Sequence, residues 1–573
     1  MTLSKDRLAA RISVARGEEP ADLLLTGAKV VNLFNAEVFE RPIAIHDGVV
    51  IGWGEYQAKQ TVDLKGGYLV PGFIEGHLHV ESTLLSPGEL ARAVCPHGTS
   101  VIVADPHEIA NVMGSAGVKA MLEGSANLPV TFYFNAPSCV PATHLETAGA
   151  VLEAKELREL ERLERVLGLA EVMNFPGVIA GAPPLLDKLL AFADRPIDGH
   201  APLLSGQGLN AYLSAGPESD HECTNLEEAR EKLAKGMWLM IRQGTSAHNL
   251  ADLLPLVTPL TERRCMLVSD DRHPDDLASE GHMDDLLRRA IRQGLDPLIA
   301  LRLVTLNPAR RFGLGRRGAI APGYIADLVL VEDLKEFKVR QVFQAGRLVA
   351  RDGQTLAAFP SGLPEAARST MHLPPLSQET FSIPVQGPKV RIIELIPGQI
   401  LTKAAIEPPP QQDGRLAADP GRDLALLAVI ERHQASGRVG HGLIRGLGIQ
   451  QGALASSVAH DSHNLVVAGM DAKSLLTAAR RVGEMKGGLC AAWGDRVLAE
   501  LALPWAGLMS DQELKPTLEA LSDLRRGAAQ LCSAAEPFMS LSFAALPVIP
   551  SLRLTDLGLV DVEAFSLVDL FGD

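Results

Sequence analysis

Two histidines separated by one residue stand at the end of an apolar run, in GFIEGHLHV, as His77 and His79. Side chains two apart on an extended strand project from one face. Both imidazoles therefore meet the same space, where they pack poorly as core but suit a divalent cation. Other apolar runs end on further donors: LGLAEV carries Glu171, PIDGH ends on His200, ESDH on His221 and CMLVSD on Asp270. The set holds nitrogen and oxygen donors only, and the lack of a thiolate argues against a structural zinc site. Six ligands exceed what one tetrahedral ion takes. Two ions about 3.5–4 Å apart and bridged by a carboxylate would use them all. The bland alternative is a group of unrelated polar residues that happen to end strands.

Such donors converge only if their strands share one rim. From Leu69 onward, apolar strand-like runs alternate with helical stretches, and eight strand candidates, each followed by a helix or helical turn, precede TLNPARRFG. That alternation predicts a (β/α)₈ TIM-like barrel over residues 69–309, whose active site would lie at the C-terminal ends of the strands. An open doubly wound sheet competes, but its glycine-rich phosphate fingerprint is missing after the first strand. Residues 1–68 and 310–356 read as short β-runs separated by Gly, Asp and Asn turns, so a small β-sandwich domain built from both sides of the barrel is expected. The Pro-, Ala- and Ser-rich stretch 357–380 reads as a linker, and 381–573 as a separate C-terminal α/β domain.

Composition bounds the function. Of 573 residues, 46% are hydrophobic and 21% charged, which excludes a largely disordered chain. The net charge of −15 argues against nucleic-acid partners and polybasic membrane anchoring. Six cysteines without a C-x-x-C pair form neither a disulfide framework nor a thiolate cluster. Neither a secretory h-region nor an apolar run long enough to span a bilayer is evident, so a cytoplasmic setting is expected. The charged run ELRELERLERVLG reads as a solvated helix.

GFIEGHLHVEST with a distant SDD resembles the metal-dependent amidohydrolase superfamily. VADPHEIANV, DHECT, SDDRHPDDL and TLNPARRFGLG, with the C-terminal SVAHDSHNLVVAGMD and LALPWAGLMSD, narrow the resemblance to the bacterial adenine deaminase family over roughly residues 18–570. The resemblance implies hydrolytic deamination of adenine to hypoxanthine and ammonia by a metal-bound hydroxide, in purine salvage. It implies two divalent ions, manganese first and iron or zinc as alternatives, on His77, His79, Glu171, His200, His221 and Asp270. Glu171 would bridge them. The carboxylated lysine that serves cyclic-amide hydrolases has no counterpart, because Lys155 and Lys188 lie in helical text. Asp270 would shuttle the proton to the leaving amine. Glu81, His107, Glu108, Asn111, Glu222 and Asp271, with His460 and His463 from AHDSHN, are the candidate substrate contacts; helix capping and orientation of ligands are their competing roles. His97 and His144 are expected to be structural. Gln243 and His248 stand where many relatives carry an acid and a lysine, and their roles stay open. A homo-oligomer is expected. The zinc deaminases built on H-x-E and P-C-x-x-C are excluded, since no P-C-x-x-C occurs. The rival readings are an amidohydrolase acting on another heterocycle or cyclic amide, and a catalytically silent scaffold or purine-binding protein.

Overall fold

The structure is a computed structural model that describes residues 4–572 apart from 246, 361, 398 and 400. The eight strand candidates form strands β1 (Phe73–Leu78), β2 (Thr99–Ala104), β3 (Thr131–Ala136), β4 (Val166–Val172), β5 (Ile197–Gly199), β6 (Ser219–Asp220), β7 (Trp238–Arg242) and β8 (Cys265–Val268). β1–β5 pair in sequence as one parallel sheet and β6–β8 as another. Two seams join them into a barrel. The Glu218 amide donates to Ile197 O at 2.9 Å between β5 and β6, and the Asp270 amide donates to His77 O at 3.1 Å between β8 and β1. Alternation along each strand divides the side chains. On β2, Val101 and Val103 join Ile74, Met240, Met266 and Val268 in an apolar plug, while Ile102 and Ala104 pack outward with Phe132, Phe134 and Leu267. Above the plug, the C-terminal strand ends form a rim lined by polar groups.

Chain from both sides of the barrel builds a two-sheet flank. A seven-stranded sheet places Tyr68–Pro71 antiparallel to Leu328–Val331, and a four-stranded sheet carries Ala21–Thr26 and Ile43–His46. Leu23, Leu25, Ile45 and Val50 from one sheet meet Val30, Leu69, Leu328 and Phe343 from the other in a shared core. The first barrel strand therefore begins at Phe73, just past the expected division at 68/69.

The stretch 357–380 is packed, although its composition reads as a linker. Phe359, Leu363 and Ala367 are buried with the barrel core, Leu376 is buried in the C-terminal core, and the Arg368 guanidinium lies 3.9 Å from the Trp505 ring centroid. A few apolar anchors, spaced among Pro and Ser, hold it down. Beyond it, a nine-stranded, mainly antiparallel sheet has Leu424–Ile430 near its centre, buried along its whole length. That explains the unbroken apolar text LALLAVI, because both faces of the strand are covered. Helix α2 (Ala472–Glu484) packs on one face, and helices α3 (Leu514–Ala528) and α4 (Pro537–Phe543) lie on the other side of the sheet. The loop between Ala453–Ser456 and Leu465–Gly469 carries residues 459–464 onto the barrel mouth. Among the described residues, no helix is long and apolar enough to cross a membrane.

Candidate metal centre at the barrel mouth

The six donors expected at the strand ends converge. The Nε2 atoms of His77 and His79 each lie 3.2 Å from Glu171 Oε1, and 3.4 and 3.2 Å from Asp270 Oδ1. The other oxygen of Glu171 lies 2.8 Å from His200 Nδ1 and 3.6 Å from His221 Nε2. Glu171 thus has one oxygen toward the β1 imidazoles and one toward those of β5 and β6. The rings of His77 and His221 stack with centroids 4.2 Å apart. All six are buried except His200, which is partly open. Asp270 reaches the group from a left-handed backbone, φ +58°. Aspartate is among the few residues that tolerate this, and the turn aims the carboxylate back across the mouth.

Some of these donors are poorly satisfied by the described residues: His77 Nε2 and Glu171 Oε1 are buried with no hydrogen bond of good geometry. Burial works against charge throughout, yet the close Asp270 and Glu171 carboxylates push His77 up to about 10. Burial is likewise outweighed at His200, which the neighbouring Glu222 and Glu171 carboxylates push up to about 9. Glu171 is driven well below the usual carboxylate range despite burial, by His221 and by hydrogen bonds to His200, His77 and His79. Burial and the nearby His77 push His221 down to about 3. The cluster therefore demands positive charge in a small dry volume. Donor atoms of His77, His79 and Asp270 lie within 4.8 Å of one another, as do those of His77, Glu171 and His221, and of His200, His221 and Glu222. Four imidazoles and two carboxylates of this kind fit divalent metal ions.

The supporting residues were not legible from strand-end spacing. Arg242, at the end of β7, donates from Nη1 to Asp270 Oδ2 at 2.9 Å, and from Nη1 and Nη2 to the Glu222 carboxylate. Glu75, two residues before His77, accepts from the His77 amide at 2.9 Å and from the Ser269 amide at 3.0 Å, which pins β1 to β8 beneath the donors. Lys232 donates to Ala201 O, Asp220 Oδ2 and Glu228 Oε1 at 2.6, 2.9 and 2.7 Å, and Asp220 Oδ1 accepts from the Ala201 amide at 2.9 Å. That buried knot fixes the residues beside His200 and His221. Asp105 joins His79, His107 and Glu171 in a further close group of donors.

The expected substrate contacts divide. Helix α1 (His107–Met113) begins at the mouth, and Glu108 Oε1 lies 3.0 Å from His460 Nδ1, with Glu108 Oε2 3.7 Å from His463 Nε2. Despite burial, His460 holds Glu108 well below the usual range, and Glu108 pushes His460 up to about 9. Ser82 Oγ donates to Asp271 Oδ1 at 2.5 Å. His107 lies against the His79 ring, with Nδ1 3.1 Å from Asp105 Oδ2. Glu81 and Asn111 engage α1 itself: Glu81 accepts from the Ile109 amide at 3.0 Å, and Asn111 donates to His107 O at 3.0 Å. Burial, with Glu108 nearby, pushes Glu81 up to about 7. Glu222 is taken up by Arg242, 3.4 Å from His221 Nε2. Gln243 and His248 bond each other at 2.8 Å across the turn after β7. His97 pairs with Asp284 at 3.2 Å, and His144 lies edge-on to Phe565.

Residues 68–349 match the amidohydrolase family, and residues 399–566 match the adenine deaminase C-terminal domain. An adenine deaminase of Dehalococcoides mccartyi (strain CBDB1) is 48% identical over 98% of this chain and 99% of that protein. One of Desulfatibacillum aliphaticivorans is 49% identical over 98% of this chain and 99% of that protein. Among solved structures, a β-aspartyl dipeptidase of Fervidobacterium islandicum AW-1 aligns with a TM-score of 0.45 at 16% identity, covering 59% of this chain and 99% of that one. With nearly half its residues identical along almost its whole length, the chain belongs to the adenine deaminase family of amidohydrolases.

Proposed function

We propose that the chain hydrolyses adenine to hypoxanthine and ammonia. The observation that carries this is Glu171, whose two oxygens face two separate imidazole pairs. The near-full-length identity to proteins named adenine deaminase supports the substrate. His77, His79, Glu171, His200, His221 and Asp270 would hold two divalent ions, which supply a hydroxide nucleophile near neutral pH by lowering the pKa of water. The N/O donor set accepts manganese, iron or zinc, and manganese is the ion proposed for reconstitution.

The chain's own groups do the rest. Asp270 stands with Oδ1 in the cage and would take the hydroxide's proton as the C6–O bond forms, while the proton released when that hydroxide is made from water goes to N1 of the ring. It hands that proton to the exocyclic nitrogen as the C6–N bond breaks, and ammonia leaves. The carboxylate ends as it began. His107, Glu108, Asp271 and His460 present donors and acceptors to the ring nitrogens, and burial of the mouth keeps bulk water from competing. Six buried cysteines, none in a disulfide among the described residues, fit a reducing, cytoplasmic setting, and conversion of adenine to hypoxanthine would serve purine salvage. The test is ammonia release from adenine by the manganese-reconstituted protein, with adenosine, guanine and cyclic amides as competitors. Hypoxanthine and ammonia in equal amounts are expected. Turnover of a cyclic amide instead of adenine would contradict the reading.

A further inference from the structure

A cavity of about 410 Å³ lies between the barrel and the C-terminal domain, within the 300–1,000 Å³ range of small-molecule sites. Leu84, Val458, Leu521 and Met539 give it apolar walls. Its inner end is formed by Ser82 and His460, the residues that bond Asp271 and Glu108 beside the candidate metal centre. The His460 ring is braced from behind by Phe543, stacked at 4.9 Å and 11°. The other polar wall residues are Ser456, Ser533 and Ser542, with His273, Arg525 and Glu536. His273 Nδ1 and Arg525 Nε are buried and have no hydrogen-bond partner among the described residues. The charge of Arg525 is already balanced, by Asp275 at 2.5 Å and Glu536 at 3.3 Å.

We infer that this cavity is an outer binding subsite for an uncharged, planar nitrogen heterocycle on its way to the barrel mouth. Apolar walls suit the faces of such a ring, and the wall hydroxyls of Ser82, Ser533 and Ser542, with the His460 imidazole, suit its edge. A phosphate would meet Glu536 and Asp275 beside an arginine they already neutralise, so the free base enters and the nucleotide does not. The subsite explains why the C-terminal domain is seated on the barrel: α3 and α4 furnish the wall that the barrel lacks. The identity of the base rests on the proposed deaminase reading; the subsite itself does not.

The test uses the full-length, metal-loaded protein with Met539→Trp, which fills the cavity, and Arg525→Gln, which alters its polar wall. Filling or altering a subsite on the way in slows productive association and leaves the chemical step as it is, which lowers kcat/KM without lowering kcat. The expected result is a fall of roughly tenfold in kcat/KM for adenine carried mainly by KM, with metal content as in the wild type. Unchanged kcat/KM in both variants overturns the subsite, and should Met539→Trp fail to fold, Arg525→Gln decides. If the wild type does not deaminate adenine, the functional reading fails, and calorimetric titration with unsubstituted purine then tests the cavity alone. Binding weakened about tenfold in the variants, with AMP unable to compete, supports it. Equal affinity in variant and wild type overturns it.

Discussion

Asp270 offers Oδ1 to the two imidazoles of β1 and Oδ2 to Arg242, 2.9 Å away, so its carboxylate has one orientation. Replacing Asp270 with Asn keeps that shape but removes the base. Turnover should fall by roughly 10²–10⁴-fold while the melting temperature stays near wild type, and full activity in the variant would remove Asp270 from the chemistry. Arg242→Met makes the complementary case. It strands Glu222 and Asp270 as buried, uncompensated carboxylates, and stability measured by urea denaturation of the metal-free protein should fall by about 3–5 kcal/mol. The six side chains that the structure brings together are legible in the sequence because each stands at the end of an apolar run. Arg242 is not, although its place at a strand end is equally regular, since an arginine there reads as a solvated cation until Glu222 and Asp270 are seen on either side. Glu75 was hidden for a related reason. Two of its partners are backbone amides, which leave no pattern in side-chain text, and the third, the His282 ring at 3.3 Å, lies more than two hundred positions away.

At the scale of elements, each donor strand is locked by a buried polar group just below its end. Asp220 and Lys232 do this for β5 and β6, where β6 is only two residues long and has little ladder of its own. Burial opposes the Lys232 charge, but Asp220 and Glu228 hold its pKa above the ordinary value. Lys232→Met should therefore cost about 3–5 kcal/mol by leaving two buried acids unpaired. It should also loosen metal binding at His200 and His221 more than at His77 and His79. Denaturant titration and metal content after dialysis check both parts. The barrel strands were legible because burial on both faces gives continuous apolar runs. The helix carrying Lys232 was legible as a helix. Its inward lysine was not, because EEAREKLAKG offers three acids and three bases and the fold buries only some of them.

For the whole molecule, the C-terminal domain is joined to the barrel by polar contacts as well as by its core. Asn464 donates to Thr147 O at 2.9 Å, the Leu514 amide donates to Glu89 Oε2 at 2.9 Å, and His460 meets Glu108 at 3.0 Å. AHDSHN was recognisable as a polar cluster, but its contact with α1 joins residues more than three hundred positions apart, which periodicity cannot reveal. A double-mutant cycle with Glu108→Gln and His460→Ala should give a coupling of roughly 0.5–3 kcal/mol in unfolding free energy. Additive effects would mean that the two halves meet without this pair. If four imidazoles and two carboxylates hold a pair of cations shared through Glu171, anomalous diffraction at the manganese edge from crystals of the reconstituted protein will show it. Two peaks flanking Glu171 are expected, one beside His77 and His79 and one beside His200 and His221. A single peak, or peaks away from Glu171, would contradict it.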